Sequence, residues 1–141
     1  MKRKLSIADY PLAETRSGEI RGPRGKSLDQ ITLAAVMADD VSIEDLRITP
    51  NALGDQAEIS RAAGRPALAL NFERAAEMVG APAEFIMQAY EILRPGRATS
   101  KQQLLDFAET FMQTHKAPRM AAFFTEAAEV YERRGLFTRR Y

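Results

Sequence analysis

Cysteine is absent from the 141-residue chain and histidine occurs once, as His115. Without cysteine there is no disulfide scaffold, no thiolate metal site and no cysteine nucleophile. A single histidine excludes a multi-histidine metal centre. No apolar run approaches the ~18 residues that a membrane-crossing helix needs. The first residues, MKRKLSIADYPL, are basic but lack the apolar stretch of a secretory signal. No segment alternates apolar and polar residues at period two, so no strand is predicted. These absences point to a cytoplasmic protein with no membrane association.

What is present fits a globular chain. Apolar residues make up 45% and charged residues 28%, which is enough apolar material for one domain with a real core. The net charge is +1, but it is unevenly spread. Residues 1–26 carry seven basic and three acidic groups, and residues 131–141 carry four basic and one acidic, around an acidic middle. The basic groups sit at the two ends rather than along a folded stripe, so no nucleic-acid partner is expected.

Residues 1–26 hold Pro11, Gly18, Gly22, Pro23 and Gly25 and no helical apolar stripe. They read as an extended arm with one apolar knot, Ile7, Tyr10, Pro11 and Leu12. From residue 27 to 141 the pattern is helical. Ser27…Gln30, Ser42…Asp45 and Ser100…Gln103 are capping signals, each able to satisfy backbone N–H groups that a helix start leaves open. Thr49-Pro50 is another start. The first box is followed by a short stripe, Leu28, Ile31, Ala35 and Val36. Later stripes are Leu53, Ala57 and Ser60; Leu68, Phe72, Ala75, Ala76 and Val79; and Phe85, Ile86, Ala89, Tyr90 and Leu93. Two more follow: Leu104, Leu105, Ala108, Phe111, Met112 and His115; and Met120, Ala121, Phe124, Ala127, Ala128 and Tyr131. Gly64, Gly80, Pro95-Gly96 and Gly135 end helices. The expectation is an all-α chain: a compact bundle of five or six helices in domain 27–141, with the extended arm 1–26 before it.

Chemistry-bearing patterns are few. His115 falls on an apolar helix face, where packing is its ordinary role. The carboxylate pairs Glu73/Glu77 and Glu126/Glu129 share helix faces, and acid–base work would need such pairs. Arg74 and Arg119 stand near enough in sequence to neutralise them as surface ion pairs. Gly22-Pro-Arg-Gly25 follows no strand and closes on no Lys-Ser/Thr, so it is not a phosphate loop. No catalytic, cofactor-binding or metal-ligating residue is assigned. The paired alanines at 75–76, 121–122 and 127–128 allow close helix approach, inside the fold or against another chain.

Six short motifs in order carry a resemblance. They are Asp9-Tyr-Pro-Leu12; Leu46-Arg-Ile-Thr-Pro50; Gln56-Ala57 with Ala63-Gly-Arg65; Asn71-Phe-Glu-Arg-Ala-Ala-Glu77; Leu93-Arg-Pro95 with Arg97; and Ala121-Ala-Phe123 with Glu126-Ala-Ala128 and Tyr131. Together, over about residues 7–134, they resemble the small (gamma) subunit of adenosylcobalamin-dependent diol dehydratase and glycerol dehydratase. The resemblance implies a helical, non-catalytic subunit. Its partners would be a large (alpha) and a medium (beta) subunit, doubled into a dimer of heterotrimers. Adenosylcobalamin and a potassium or calcium ion would belong to those partners, and this chain would bind no cofactor. Tyr10, Pro11, Leu12, Arg47, Arg65, Arg74 and Arg94, all within these motifs, become candidates for subunit contact or for tying the fold together. Arginine suits both roles because its fork pairs bidentately.

Two features depart from that family. Only eight residues precede Asp9, whereas members from propanediol-using microcompartments carry a longer amphipathic extension there. Gly96 stands where the family usually has a bulky aromatic. Two other classes make different predictions: a free-standing helical protein-interaction module would need no other chain, and a self-sufficient enzyme would be active alone.

Overall fold

The computed structural model describes residues 4–137. Among them there are seven α-helices and no strand, so the chain is all-α. Five of the helices are long: α3 (Pro50–Ala62), α4 (Pro66–Met78), α5 (Ala83–Leu93), α6 (Lys101–Gln113) and α7 (Pro118–Arg133). The other two, α1 (Leu12–Thr15) and α2 (Leu33–Met37), are about one turn each. The expected five or six helices thus correspond to the long ones. The basic residues Lys2, Arg3, Arg139 and Arg140, which made the ends of the chain positive, lie outside the described residues. No helix among the described residues is long and apolar enough to cross a membrane.

The chain divides into two units, one up to Val79 and one from Gly80 onward. In the first, the centre is a helical hairpin, α3 against α4. Thr49 caps α3 by accepting the Ala52 N–H at 3.1 Å, and Pro50 takes the first helical position. Gly64 adopts φ +72°, the left-handed conformation that lets the chain reverse into α4 at little steric cost. Leu53, Ala57, Ile59 and Ala69 are buried. In α4 only Ala69 is fully buried, and Leu68 and Val79 at the ends of its expected stripe are exposed.

The arm is not extended throughout. It folds into 3-10 turns at Ile7–Asp9 and Ser17–Glu19 around α1. Buried Asp9 organises it. Its carboxylate accepts from the Ser6 backbone N–H at 2.8 Å and from Arg16 Nε at 2.9 Å, and its backbone carbonyl accepts from Thr15 Oγ1 at 2.6 Å. The peptide bond that follows, Tyr10–Pro11, is cis. Further on, Gly22–Gly25 forms a tight turn closed by an isolated antiparallel bridge between Arg21 and Ser27.

Residues 27–48 depart most from expectation. The Ser27 box produces a single 3-10 turn, Leu28–Gln30, and Thr32 then caps the five-residue α2 separately. Adjacent β-branched Ile31 and Thr32 disfavour helix continuation, and the remaining stretch is too short for cooperative helix growth. The expected inward stripe therefore does not form. Leu28 and Val36 are exposed, and Ile31 and Ala35 are only half-buried.

The second unit is built on the hairpin of α6 and α7, with α5 against α6. Ser100 caps α6. Phe111 and Phe124 are wholly buried with ring centroids 5.2 Å apart, and Leu104, Ala108, Met120, Ala121 and Ala128 complete the core. Phe85 from α5 packs edge-on against Phe111 at 4.9 Å and stacks on Phe107 at 5.6 Å. The Tyr131 hydroxyl donates to the Leu93 carbonyl, pinning α7 to the end of α5.

Candidate subunit interface

In the first unit the arm lies beside α3 and α4 and leaves a groove of about 800 Å³. Tyr10, Pro11, Leu12 and Arg65, four of the seven candidates, line it together with Ile59 and Phe72. The Asp9 network explains why Tyr10 reaches the rim. With the carboxylate fixed beneath, the next side chain turns outward, and Tyr10 is 70% exposed. Pro11 and Leu12 are half-buried, while Ile7 is exposed. The apolar knot is thus only partly covered by its own unit.

The other three candidates stand apart from the groove. Arg47 pairs with Glu44 (3.0 Å) and Arg94 with Glu91 (3.0 Å), each three residues back in the sequence. Arg97 approaches the same Glu91 at 2.9 Å. Glu91 raises the Arg94 guanidinium above its ordinary value, first by accepting its hydrogen bond and then by its charge. Arg74 Nη1 donates to Asn71 Oδ1 at 3.4 Å within α4. Such exposed local pairs are screened by water and add little to stability.

Distant segments are joined instead by pairs that, Glu73 apart, lie outside the motifs. Arg24 pairs with Asp45 at 3.2 Å, Lys26 with Asp40 at 2.8 Å, Arg61 with Glu73 at 2.7 Å and Lys101 with Glu132 at 2.7 Å. Charge spacing in the sequence carries no signal for the first two, because they bridge a turn and a loop. Lys26 holds the Asp40 carboxyl below the usual carboxylate range, first by its hydrogen bond and then by its charge. Asp29 is lowered as well, chiefly by a hydrogen bond from Ser27. The Glu132 hydrogen bond raises the Lys101 ammonium.

Two of the groups considered for chemistry, His115 and Glu73, are engaged structurally. His115 is half-buried, 4.6 Å from the Phe85 ring and 6.2 Å from the Phe111 ring. Glu73 accepts from Arg61. Among the described residues, no three His, Asp or Glu side chains converge to hold a metal ion.

Exposed apolar side chains crowd residues 28–48, the stretch that begins with the expected buried stripe. Leu33 and Met37 are each 78% exposed, and Ile43, Leu46 and Ile48 are also open. Leu33 and Met37 are four apart and fall off the stripe of Leu28, Ile31 and Ala35, which was the one available sequence signal.

The family model described as dehydratase small subunit matches residues 5–138. Relatives of known role are similar over most of their length. The propanediol dehydratase small subunit of Salmonella typhimurium is 42% identical over 132 residues, covering 94% of this chain and 76% of the relative. The subunit of the same name from Citrobacter freundii is 42% identical over 128 residues, covering 91% and 74%.

Proposed function

This chain belongs to the dehydratase small-subunit family, and from that premise we propose that it is the small, structural subunit of an adenosylcobalamin-dependent diol or glycerol dehydratase. The observation that carries this reading is the 42% identity to propanediol dehydratase small subunits across nearly the whole chain. The reaction is loss of water from a 1,2-diol, so that propane-1,2-diol gives propanal and glycerol gives 3-hydroxypropanal. Adenosylcobalamin, held by the large and medium subunits, would supply the radical chemistry, and a potassium or calcium ion would belong to the large subunit. The donor set of the present chain does not fit such a group. Its one imidazole is packed against phenyl rings, and Glu73 is tied to Arg61. No step is therefore assigned to its residues. Their work is to hold a folded surface against the catalytic subunits, in a cytoplasmic dimer of heterotrimers.

Co-expression with the large and medium subunits tests the reading. The chain co-purifies with them, and the complex loaded with cobalamin dehydrates propane-1,2-diol or glycerol. His115→Ala, Glu73→Ala and Glu126→Ala leave turnover per intact complex near wild type. A general acid or base contributes ~10²–10⁴-fold, so a hundredfold fall in any of the three on intact, loaded complexes overturns the structural role. A chain that remains alone, as monomer or homodimer, is instead the free-standing interaction module.

A further inference from the structure

Among the described residues fourteen large apolar side chains are exposed, and seven of them, Leu28, Leu33, Val36, Met37, Ile43, Leu46 and Ile48, fall within residues 28–48. Scattered exposed apolar residues need no explanation, but a concentration of this kind marks an interaction site. The segment is not a loose loop. Backbone N–H groups of Asp40 and Val41 donate to the Ala35 carbonyl at 2.9 and 3.2 Å, closing α2 onto the following chain. Val41 and Asp45 are buried beneath it. Arg24 bonds both Ser42 and Asp45, and Lys26 holds Asp40. Gly22 packs so closely that a Cβ there would stand 2.7 Å from the Asp45 carbonyl oxygen. The exposed side chains are therefore held in place before any partner arrives, which lowers the entropic cost of binding.

The charge around these side chains selects the partner. Between Lys26 and Arg47 there is no lysine or arginine, while Asp29, Asp39, Asp40, Glu44 and Asp45 are all acidic. Lys26, Arg47 and Arg24 offset Asp40, Glu44 and Asp45. Asp29, partly offset by Arg21, and Asp39 carry the remaining negative charge. Two copies of this face would bring like charges together, and an anionic lipid surface would be repelled too. An apolar surface rimmed by lysine or arginine complements it.

Resting on the function proposed above, we propose that residues 28–48 form a preorganised docking platform for another subunit of the dehydratase, which presents an apolar patch with a basic rim. Leu33 and Met37 are its central anchors.

The test uses the full chain co-expressed with the large and medium subunits, comparing wild type with a Leu33→Asp/Met37→Asp double variant. A control, Met87→Asp/Tyr90→Asp, places the same two charges on exposed apolar residues of α5. Buried unpaired carboxylates are strongly disfavoured. The double variant is expected to lower the amount of small subunit in the complex by about tenfold or more, while the free variant keeps its circular dichroism and melting temperature. Hydrogen exchange on the wild-type chain supplies a second readout. Amides of residues 28–48 should slow at least several-fold on assembly. A double variant that assembles like wild type, or a segment whose exchange is unchanged in the complex, overturns the platform. So does a platform whose protection depends only on self-association of the chain. If wild-type chain fails to assemble with the other subunits, the functional reading falls first and takes this inference with it.

Discussion

The two ends of this chain spend their apolar residues in opposite ways. In residues 80–137, large aromatic side chains from three helices converge, with Phe85, Phe107, Phe111 and Phe124 in mutual contact and Phe111 and Phe124 inaccessible to water. In residues 4–48 the buried groups are Leu5, Asp9, Ser27, Val41 and Asp45, three of them polar, and most of the large apolar side chains are exposed. One region derives its order from hydrophobic burial, the other from hydrogen bonds and ion pairs beneath an apolar exterior. Order of the second kind leaves apolar surface uncovered, as the structural role proposed above requires.

The contrast can be broken most severely in the aromatic cluster. Phe124→Ala removes a fully buried ring and leaves a cavity, at a cost of ~3–5 kcal/mol. Amide exchange should accelerate throughout α6 and α7, and the melting transition of that unit should fall by many degrees. Unchanged protection in α6 would show that the cluster is not what stabilises it.

A smaller effect is expected in the hydrogen-bonded region. At Gly22→Ala the new methyl meets a backbone oxygen rather than a flexible side chain, so the turn or the Asp45 segment must shift, at about 1–3 kcal/mol. Exchange should speed up in residues 22–48 and leave α6 and α7 untouched. Loss of protection in both regions would mean that they do not differ in the way described.

The smallest effect concerns pH. Asp40 is held below its unfolded value by Lys26, so the pair adds stability above the ordinary carboxylate range. That increment is lost as pH falls through about 4 and below. In Asp40→Asn the increment is missing at neutral pH, and the acid limb of the stability curve of this region becomes shallower. The pair is exposed and screened by salt, so the difference should shrink as ionic strength rises. An acid limb identical to wild type at low salt would remove Lys26–Asp40 from the list of contacts that order the platform.

Helix punctuation was legible residue by residue. Thr49-Pro50, Gly64, Ser100 and Gly135 mark starts and stops where the structure has them, because caps act within four residues and depend on local chemistry. The inward faces of α6 and α7 were legible too, since their stripes run three turns or more. Leu68, Val79, Tyr90 and, on α6, Met112 were expected inside and are exposed, because periodicity shows that a face is apolar but not whether a neighbour covers it. Tyr10, Pro11, Leu12 and Arg65 came from motifs separated by fifty residues, and only the arm's turn around Asp9 brings them to one groove.

The sequence by itself determined the all-α class, most helix ends, the α6 and α7 core faces and, through ordered motifs, the family. These rest on short-range chemistry and on repeats long enough to read. Tertiary structure alone decided that residues 28–48 would display their apolar side chains instead of burying them. That outcome depends on Arg24, Lys26 and Gly22 reaching Asp45 and Asp40 across a turn. Contacts between residues fourteen or more apart leave no periodic trace in the chain, yet they fix which side of a short helix meets water.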